Sequence, residues 1–563
     1  MAYVLNALLV VGALVSISTP AWAQPLNTDA VDELVKAYGP DDGPGISVAV
    51  ARDGAVIYEG WTGQADLEHQ VPITGDTRFP IASISKQFTA FAIMKLADEG
   101  KLSLDQEVRD FFPDFKASAD GVTIQHLLDH TSGLREVNSL TQILGYTEAA
   151  LIDPSAMLTI ILRQQGRNFD PGTNEEYSNT GYQLLAHIVE RASGMGFDDY
   201  LRTEVFEPLG MSHSFARTDP TILTPDIALS YEAGRTAMYN FPYVSAVIGS
   251  SGIVSTPRDM VRWGHALNIM ATGGDSAIGN AAIIDAMNAR TQLPNGNIAV
   301  ASNGQEYREF RGLKTWSHGG SSGGFRSFLL RIPDENLVIA VAGNRSDFLK
   351  AAFAFEITEK LLAERLAPAG APDMTPETVA ELDSYTGDYR LFAGVIFSIR
   401  RDGENLTFAS FGSDDVAVLP RVSKGVFLVD PVRDRKAVFR TFEDGKANEL
   451  IWQVSEDGFL RAPRVAMQPI PDALPQPELY IGSYYSEDLQ AGLEILISDE
   501  GELLISSSLR GPVPLVPIQP GVLRPVGNSP FSYIDVGPHK SSPPGRIIIS
   551  TTLAENIVFD RVN

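Results

Sequence analysis

The chain has 563 residues, which is too long for one ordinary domain, and we expect about two to four. Its composition, 44% hydrophobic and 20% charged, is typical of a globular protein with a real core. The net charge of −26 disfavours nucleic acid and anionic membrane surfaces as partners, although simple solubility explains it as well. The absence of cysteine excludes disulfides, thiol catalysis and cysteine-bound metals. No histidine begins a His-Glu-x-x-His motif, so we expect no zinc hydrolase, no metal and no cofactor.

The first 23 residues have the pattern of a secretory signal peptide. An apolar run extends from Leu5 to Ile17, and Ala21-Trp22-Ala23 supplies the small-residue cleavage pattern before Gln24. A membrane anchor is the alternative, but the run is shorter than the roughly 20 residues that cross a bilayer. We therefore predict cleavage after Ala23 and a periplasmic or secreted mature protein without a membrane span.

Two hairpins are predicted in the segment that follows the signal peptide, one near its start and one near its end. Pairs of β-branched runs joined by turns indicate them, at 45–50 with 55–58 and at 325–332 with 337–342. Between the hairpins helical spacing prevails, as in 84–100 and 182–194, and a last helix is predicted over 347–366. Strands from both ends pairing around a helical insert predict an α/β (α+β) domain with an antiparallel sheet, which we assign to residues 24–366.

The remainder of the chain has a different pattern. Residues 367–372, rich in proline and alanine, predict a linker, and beyond them short alternating strands replace helices. Tyr385-Thr386-Gly387-Asp388-Tyr389 recurs as Tyr480-Ile481-Gly482-Ser483-Tyr484, which indicates an internal repeat. We predict two small antiparallel β-barrels, at 373–470 and 478–563, because a closed sheet hides its strand edges.

A candidate nucleophile lies at the start of the first long helix. In Ser83-Ile84-Ser85-Lys86 the serine and the lysine are three residues apart, so they share one face of a helix. An amine in that position can take the proton of a serine hydroxyl and so activate it for attack. The motif alone has little specificity, because Ser-x-x-Lys arises by chance in many chains.

Two further motifs make a catalytic role for Ser-x-x-Lys more specific. Tyr177-Ser178-Asn179 follows a Pro-Gly turn and can bring a phenol and an amide to the serine–lysine pair. His318-Gly319-Gly320, followed by Ser321, is placed directly before a strand pair, where glycines allow a ligand to approach the backbone. Each of these two motifs, taken alone, is more often a capping loop or a turn.

The ordered set Ser-x-x-Lys, Tyr-x-Asn and His-x-Gly resembles the family of penicillin-recognising serine hydrolases. That family includes class C β-lactamases, serine DD-peptidases, related esterases and D-aminopeptidases. The stretches 127–134, 208–211 and 252–256 are also similar to it, and the resemblance covers roughly residues 30 to 365. It implies a β-lactamase-like fold for the N-terminal domain.

The resemblance also implies a role for each motif residue. Ser83 is expected to be acylated, with Lys86 as its proton acceptor and Tyr177 as base or acid, while Asn179 orients Lys86. The backbone N–H groups of Ser83 and Ser321, beside Gly319 and Gly320, are expected to hold the oxyanion. His318 takes the place of the lysine in class C β-lactamases, and because histidine is mostly uncharged near neutral pH, strong binding of a β-lactam carboxylate is less expected. His130 and His187 are interpreted as structural.

The overall architecture is most similar to that of bacterial D-aminopeptidase. In that enzyme a loop of the last barrel reaches the active site and helps to hold the free amine of the substrate; here the loop falls within 528–546. Lys540 stands where an acidic residue is expected, and its ammonium would repel such an amine. Alternatively, the two barrels serve as spacers or as dimerisation modules, and in the second case the protein is a homodimer.

Three functions remain open. The first is an exported serine hydrolase that opens amide or ester bonds of small D-amino-acid peptides. The second is a carboxylesterase or weak β-lactamase on the same site. The third is a peptidoglycan sensor that is acylated without turnover. The expected partner is a small peptide or ester substrate.

Overall fold

The computed structural model of the protein describes residues 26–39, 42–147, 150–234, 237–242, 247–294, 298–299, 301–368, 375–392, 395–411, 416–430, 435–453, 459–467, 476–527, 529, 531–537, 543–551 and 553–562. The predicted leader (1–23), residues 369–372 of the predicted linker and Lys540 lie outside these residues. Among the described residues, no helix is long and apolar enough to cross a membrane.

Most helices belong to the first part of the chain. In chain order they are Thr28–Ala37 (α1), Ser85–Asp98 (α2), Val108–Phe111 (α3), Ile124–Leu128 (α4), Val137–Ile143 (α5), Pro154–Arg163 (α6), Asn179–Ser193 (α7), Phe197–Leu201 (α8), Pro257–Ala271 (α9), Ala281–Asn288 (α10), Lys350–Leu361 (α11) and Val379–Tyr385 (α12). The last long helix is shorter than predicted at both ends: it runs from Lys350 to Leu361, and Asp347 pairs with Arg345 in the segment before it.

Strands of the same part run from the first hairpin to the second. They are Ile46–Arg52 (β1), Ala55–Thr62 (β2), Gln64–Asp66 (β3), Val71–Pro72 (β4), Phe79–Pro80 (β5), Phe215–Ala216 (β6), Tyr231–Ala233 (β7), Met238–Asn240 (β8), Ile253–Ser255 (β9), Ala301–Ser302 (β10), Gln305–Phe310 (β11), Leu313–Ser322 (β12), Phe325–Ile332 (β13) and Leu337–Gly343 (β14).

Both predicted hairpins join one seven-stranded antiparallel sheet. Its order is β10-β11-β12-β13-β14-β1-β2, so β1 from the start pairs with β14 from the end, with Ile46 opposite Gly343. Successive side chains point to opposite faces. Val48 and Val50 therefore pack with α1 and α11, whereas Ala49 and Ala51 pack in the larger core with α2, α7 and α9. The predicted pairing of the two ends is thereby confirmed.

Two β structures follow the first part of the chain. A nine-stranded sheet contains Gly387–Phe392 (β15), Val395–Asp402 (β16), Asn405–Ser410 (β17), Ala417–Leu419 (β18), Arg421–Ser423 (β19), Val426–Asp430 (β20), Arg435–Glu443 (β21), Lys446–Gln453 (β22) and Phe459–Val465 (β23). The strand order is β18-β17-β16-β15-β23-β22-β21-β20-β19. The sheet is a nearly closed barrel, whose end strands β18 and β19 are not paired with each other in the described residues.

The second β structure is a closed barrel. Its strands are Gly482–Ser486 (β24), Ala491–Ile497 (β25), Leu503–Ser507 (β26), Arg510–Gln519 (β27), Val522–Pro525 (β28), Tyr533–Asp535 (β29), Arg546–Ser550 (β30) and Ile557–Val562 (β31). The first and last strands pair, with Ser483 opposite Val562, so the barrel leaves no open edge.

The internal repeat corresponds to one local structure that occurs twice. The hydroxyl of Tyr389 donates to the carbonyl of Tyr385 over 2.6 Å, and that of Tyr484 donates to the carbonyl of Tyr480 over 2.8 Å. Both acceptors lie four residues before their donors, so the repeated Tyr-x-x-x-Tyr spacing places each phenol against a backbone carbonyl at the start of a sheet.

Candidate active site

A short turn of 3-10 helix, Ala82–Ile84, contains Ser83 and leads directly into α2, whose second residue is Lys86. Ala82 has a φ of 47°, in the left-handed region that a residue with a Cβ adopts at a cost of about 1–3 kcal/mol. Lys86 lies fully buried beneath Ser83, and its Nζ is 3.3 Å from Ser83 Oγ. The predicted pair is therefore in contact.

The Lys86 amine has two further partners. Its Nζ donates to Asn179 Oδ1 over 2.7 Å and to the carbonyl of Ser250 over 2.9 Å. Burial lowers the pKa of Lys86 to about 7, against the opposing effect of Glu136. A neutral amine has two N–H bonds and one lone pair. If those bonds are directed at Asn179 and Ser250, the lone pair faces the Ser83 hydroxyl, which is the geometry that a proton acceptor needs.

The Tyr177 side chain covers the same pair. Lys86 Nζ lies 4.7 Å from the centroid of its ring, and the nearby Ser83 hydroxyl lowers the pKa of Tyr177 slightly against the larger effect of burial. Burial raises the pKa of Tyr177 above its ordinary value. At neutral pH the side chain is therefore a phenol with a proton to donate. Of the two roles left open by the sequence, this environment favours the acid.

Asn179 begins α7, and the neighbouring residues fix its position. The Oγ of Ser178 caps the helix by accepting from the Gly181 N–H. The His130 ring accepts from the Ser178 N–H through Nδ1 over 3.0 Å and lies 4.6 Å from the Tyr177 ring. His130, interpreted from the sequence as structural, is thus a structural support directly behind the Tyr177–Asn179 segment.

Glu136 was missed by the sequence analysis. The carboxylate accepts from the side-chain amide of Asn179 over 3.0 Å, from the Asn179 N–H over 2.7 Å and from the Thr180 N–H over 3.2 Å. Glu136 follows the Leu127–Leu134 stretch by two residues, and this adjacency was the only signal in the sequence.

His318 lies inside β12, the strand directly before the predicted pair of β13 and β14, and not in a turn. Small residues on both sides allow β12 to run straight through the motif and pair with β13, with Gly320 opposite Ser327. His318 is buried, and its Nδ1 lies 2.7 Å from the Gly319 carbonyl, to which it can only donate. Burial and the nearby Lys86 lower the pKa of His318 to about 3, so the ring is neutral.

Gly320 and Ser321 bring β12 against the nucleophile segment. A Cβ on Gly320 would lie 2.1 Å from the Ile81 carbonyl, two residues before Ser83, so this position excludes any side chain. The next residue, Ser321, lines the same cavity as Ser83.

A lysine of α11 reaches this strand. Lys350 Nζ lies 2.5 Å from both the Gly320 carbonyl and Ser321 Oγ. Burial, together with Arg326, lowers the pKa of Lys350 to about 7. Lys350 can therefore carry a positive charge below about pH 7, where the His318 ring is still neutral, and the sequence gives no sign of this contact.

The cavity beside Ser83 has a volume of about 230 Å³. Polar side chains, including those of Asn138, Thr141 and Asn179, line part of it, and Ile152, Met157 and Val247 supply apolar surface. Among the described residues that line the cavity, none carries a charged side chain. The space suits a small group with both apolar and hydrogen-bonding parts.

The eight-stranded barrel packs directly behind this site. Leu140 and Ile143 of α5 belong to the same buried cluster as Tyr484, Ile495 and other residues of the barrel core. The Glu136 N–H donates to the Leu553 carbonyl over 3.0 Å. Lys540 lies outside the described residues, and Asp535, near it in sequence, accepts from the Gly537 N–H.

The described residues bring together no group of three or more His, Asp or Glu side chains that could hold a metal ion. His126 and His130 are four residues apart, but each accepts from a different backbone N–H, that of Thr123 and that of Ser178. The absence of a metal and a cofactor stays a prediction.

Comparison with known proteins agrees with this geometry. A family model described as Beta-lactamase matches residues 31–358. The chain is 27% identical over 481 residues to a D-aminopeptidase of Brucella anthropi, covering 85% of each protein. In fold it resembles the octameric penicillin-binding protein homologue from Pyrococcus abyssi, with a TM-score of 0.52 and 24% identity, over 77% of this chain and 98% of the other. It also resembles the D-amino acid amidase from Ochrobactrum anthropi SV3, with a TM-score of 0.50 and 24% identity, over 60% of this chain and 97% of the other.

Proposed function

This chain belongs to the beta-lactamase family of serine hydrolases, and we propose that it opens amide or ester bonds of small D-amino-acid peptides through an acyl-enzyme on Ser83. The observation that carries the proposal is the position of Lys86, whose two other acceptors leave its lone pair for the Ser83 hydroxyl. The similarity to a D-aminopeptidase along 85% of the chain supports the substrate class.

In the proposed acylation, the Ser83 oxygen forms a bond to the substrate carbonyl carbon while its proton passes to Lys86. The carbonyl oxygen becomes an oxyanion, for which the N–H groups of Ser83 and Ser321 are the proposed donors. Collapse of this intermediate breaks the bond to the leaving group. The Tyr177 phenol then protonates the departing nitrogen and recovers a proton from Lys86, so that no charge accumulates.

In the proposed deacylation, water attacks the ester on Ser83 and gives its proton to the amine of Lys86. The bond between Ser83 and the acyl carbon breaks, and the serine oxygen regains a proton from Lys86. The same amine thus serves as base and acid in turn. A pKa of about 7 suits both roles near neutral pH.

A carboxylesterase on the same site is the second candidate. The uncharged lining of the described part of the cavity favours it, because such a wall binds neither a free amine nor a carboxylate strongly. A panel of substrates with one leaving group separates the two. We compare D-alanine p-nitroanilide with its N-acetyl form and with p-nitrophenyl esters. A clear preference for the free amine would establish a D-aminopeptidase, and a preference for blocked amides or esters would establish the alternative.

The acyl-enzyme itself is tested by trapping. A fluorophosphonate should add to one residue, and peptide mass mapping should place the adduct on Ser83. Continuous turnover of at least one substrate of the panel would exclude a sensor that is acylated without being released. An adduct on any other residue would contradict the proposed mechanism.

We also propose that the protein is exported, on the basis of the N-terminal pattern alone. Expression in a bacterial host followed by fractionation should then recover a protein that begins at Gln24. Recovery of the chain with its first residues intact in the cytoplasm would contradict export.

A further inference from the structure

We propose that Glu136 is a positioning residue for the candidate base Lys86: its carboxylate sets the orientation of the Asn179 amide, and the C-terminal barrel sets the position of that carboxylate. The inference rests on the proposed role of Lys86 and extends it to a residue that contacts no reacting atom.

The first step of the argument concerns the Asn179 side chain. An asparagine amide presents an oxygen on one side and an N–H₂ group on the other, and the two ends can exchange by rotation. Here the N–H₂ group donates to Glu136 Oε1 over 3.0 Å, so the oxygen must face Lys86 Nζ at 2.7 Å. With the amide reversed, the N–H₂ group would point at the lysine amine and compete for the lone pair that Ser83 requires. A carboxylate, which only accepts, excludes that reversal.

The second step concerns how firmly Glu136 is held. Its side chain is almost fully buried and accepts from the backbone N–H groups of Asn179 at 2.7 Å, Thr180 at 3.2 Å and Asn138 at 3.4 Å. These three donors come from the starts of α5 and α7, so the carboxylate ties the two helices together at the wall of the cavity. The three backbone N–H groups and the Asn179 side-chain amide make four donors, which the two oxygens of a carboxylate can accept. A glutamine side chain at position 136 would offer them only one oxygen, so the arrangement requires an anion.

The third step concerns charge. Besides Ser83 and Asn179, five titratable side chains interact with Lys86 among the described residues: Tyr177, Tyr182, His130, His318 and Glu136. Burial raises the pKa of both tyrosines and lowers the pKa of both histidines, so these four are neutral near pH 7. Glu136 supplies the negative charge, and it raises the pKa of Lys86 against the effect of burial.

The fourth step links Glu136 to the barrel. Its own N–H donates to the Leu553 carbonyl, and the preceding Arg135 pairs with Asp488 over 2.8 Å. Arg135 also donates to the carbonyls of Glu555 and Asn556 over 2.8 and 2.7 Å. Two loops of the barrel, the one with Asp488 and the one that contains Leu553 to Asn556, therefore fix the backbone at Arg135 and Glu136. The barrel thus has a role beyond that of a spacer.

The test is Glu136→Gln in the full chain, with hydrolysis of a p-nitrophenyl ester followed from pH 5 to 9. We expect kcat/KM to fall by about 10- to 100-fold and its acid limb to move down by about one pH unit, because the anion that raises the pKa of Lys86 is gone. The matched control is Glu500→Gln, which removes the same charge from an exposed turn and should leave both values unchanged. A purely structural role would reduce the active fraction without moving the acid limb.

A second variant covers the case in which Glu136→Gln does not fold. Glu136→Asp keeps the charge but shortens the reach, so kcat/KM should fall by at least about 10-fold while the acid limb stays in place. Wild-type activity in either variant overturns the inference about Glu136 and leaves the proposed function intact. Activity retained by Ser83→Ala, in contrast, would overturn the proposed function itself.

Discussion

Arg135 and Asp488 form a nearly buried ion pair of 2.8 Å between parts of the chain that are 353 residues apart. Arg135 directly precedes Glu136, and Asp488 lies in the turn between β24 and β25 of the barrel. Since Leu140 and Ile143 complete the barrel core a few residues further on, the barrel and the wall of the candidate active site form one packed unit.

Loss of this ion pair should destabilise the protein. Asp488→Asn leaves the buried guanidinium of Arg135 without its counter-charge, and removal of one partner of such a pair typically costs about 3–5 kcal/mol. Urea unfolding of the full chain measures the effect. The control Asp499→Asn changes an exposed carboxylate of the same barrel and should stay within about 0.5 kcal/mol of the wild type. Equal stabilities for the two variants would contradict a structural role of the pair.

The second prediction concerns the nucleophile. Ser83→Ala removes the hydroxyl beside Lys86, and kcat should fall by a factor on the order of 10⁴ to 10⁶ while the fold persists. Ser85→Ala is the matched control within the same motif. Its Oγ accepts from the Ile253 N–H, so this variant should lose about 1–3 kcal/mol of stability and retain its activity. Near wild-type turnover by Ser83→Ala would show that another residue is acylated.

How much of this site the sequence could predict depends on how far apart the interacting residues lie. Ser83 lies in the 3-10 turn that leads into α2, and Lys86 follows three residues later in the first turn of α2, so their contact follows from local helical geometry. The same holds for the tyrosines of the internal repeat, whose acceptors lie four residues away.

Contacts between distant segments gave no such signal. Glu136 reaches Asn179 only because α5 and α7 begin side by side, and Lys350 reaches Ser321 only because α11 packs on the sheet. Neither residue belongs to a motif, and each would be interpreted from the sequence as an ordinary exposed charge. The pairing of Arg135 with Asp488 likewise depends on how the barrel docks, which no local pattern encodes.

The third prediction is the pH dependence of activity. Burial lowers the pKa of Lys86 to about 7, and the proposed base is active in its neutral form. Therefore kcat/KM should rise as the pH increases through about 7 and level off above it. Lys350 titrates in the same range, so Lys350→Met serves to distinguish the two: the acid limb should persist in this variant. Disappearance of the limb in Lys350→Met would assign it to Lys350 instead.

The fourth prediction is that activity needs no metal. The described residues offer no converging set of ligands, and the proposed proton transfers are complete with Ser83, Lys86 and Tyr177. Prolonged dialysis against EDTA should leave kcat unchanged within error. Loss of activity that added zinc restores would require a different mechanism.

The last prediction compares two neighbouring glycines of β12. In Gly320→Ala the new Cβ would lie 2.1 Å from the Ile81 carbonyl and 2.3 Å from Ser327 Oγ, so the strand must withdraw from the backbone that carries Ser83. A displacement of about 1 Å at a reacting centre can reduce the rate 10²-fold, and we expect at least that loss in kcat. In Gly319→Ala the nearest atom is Lys350 Cε at 3.1 Å, the far part of a flexible side chain that can move aside. This variant should lose clearly less activity than Gly320→Ala. Steady-state kinetics of both variants, with thermal melts to confirm the fold, provide the comparison, and equal losses would show that the close approach of β12 to Ile81 is not what the active site requires.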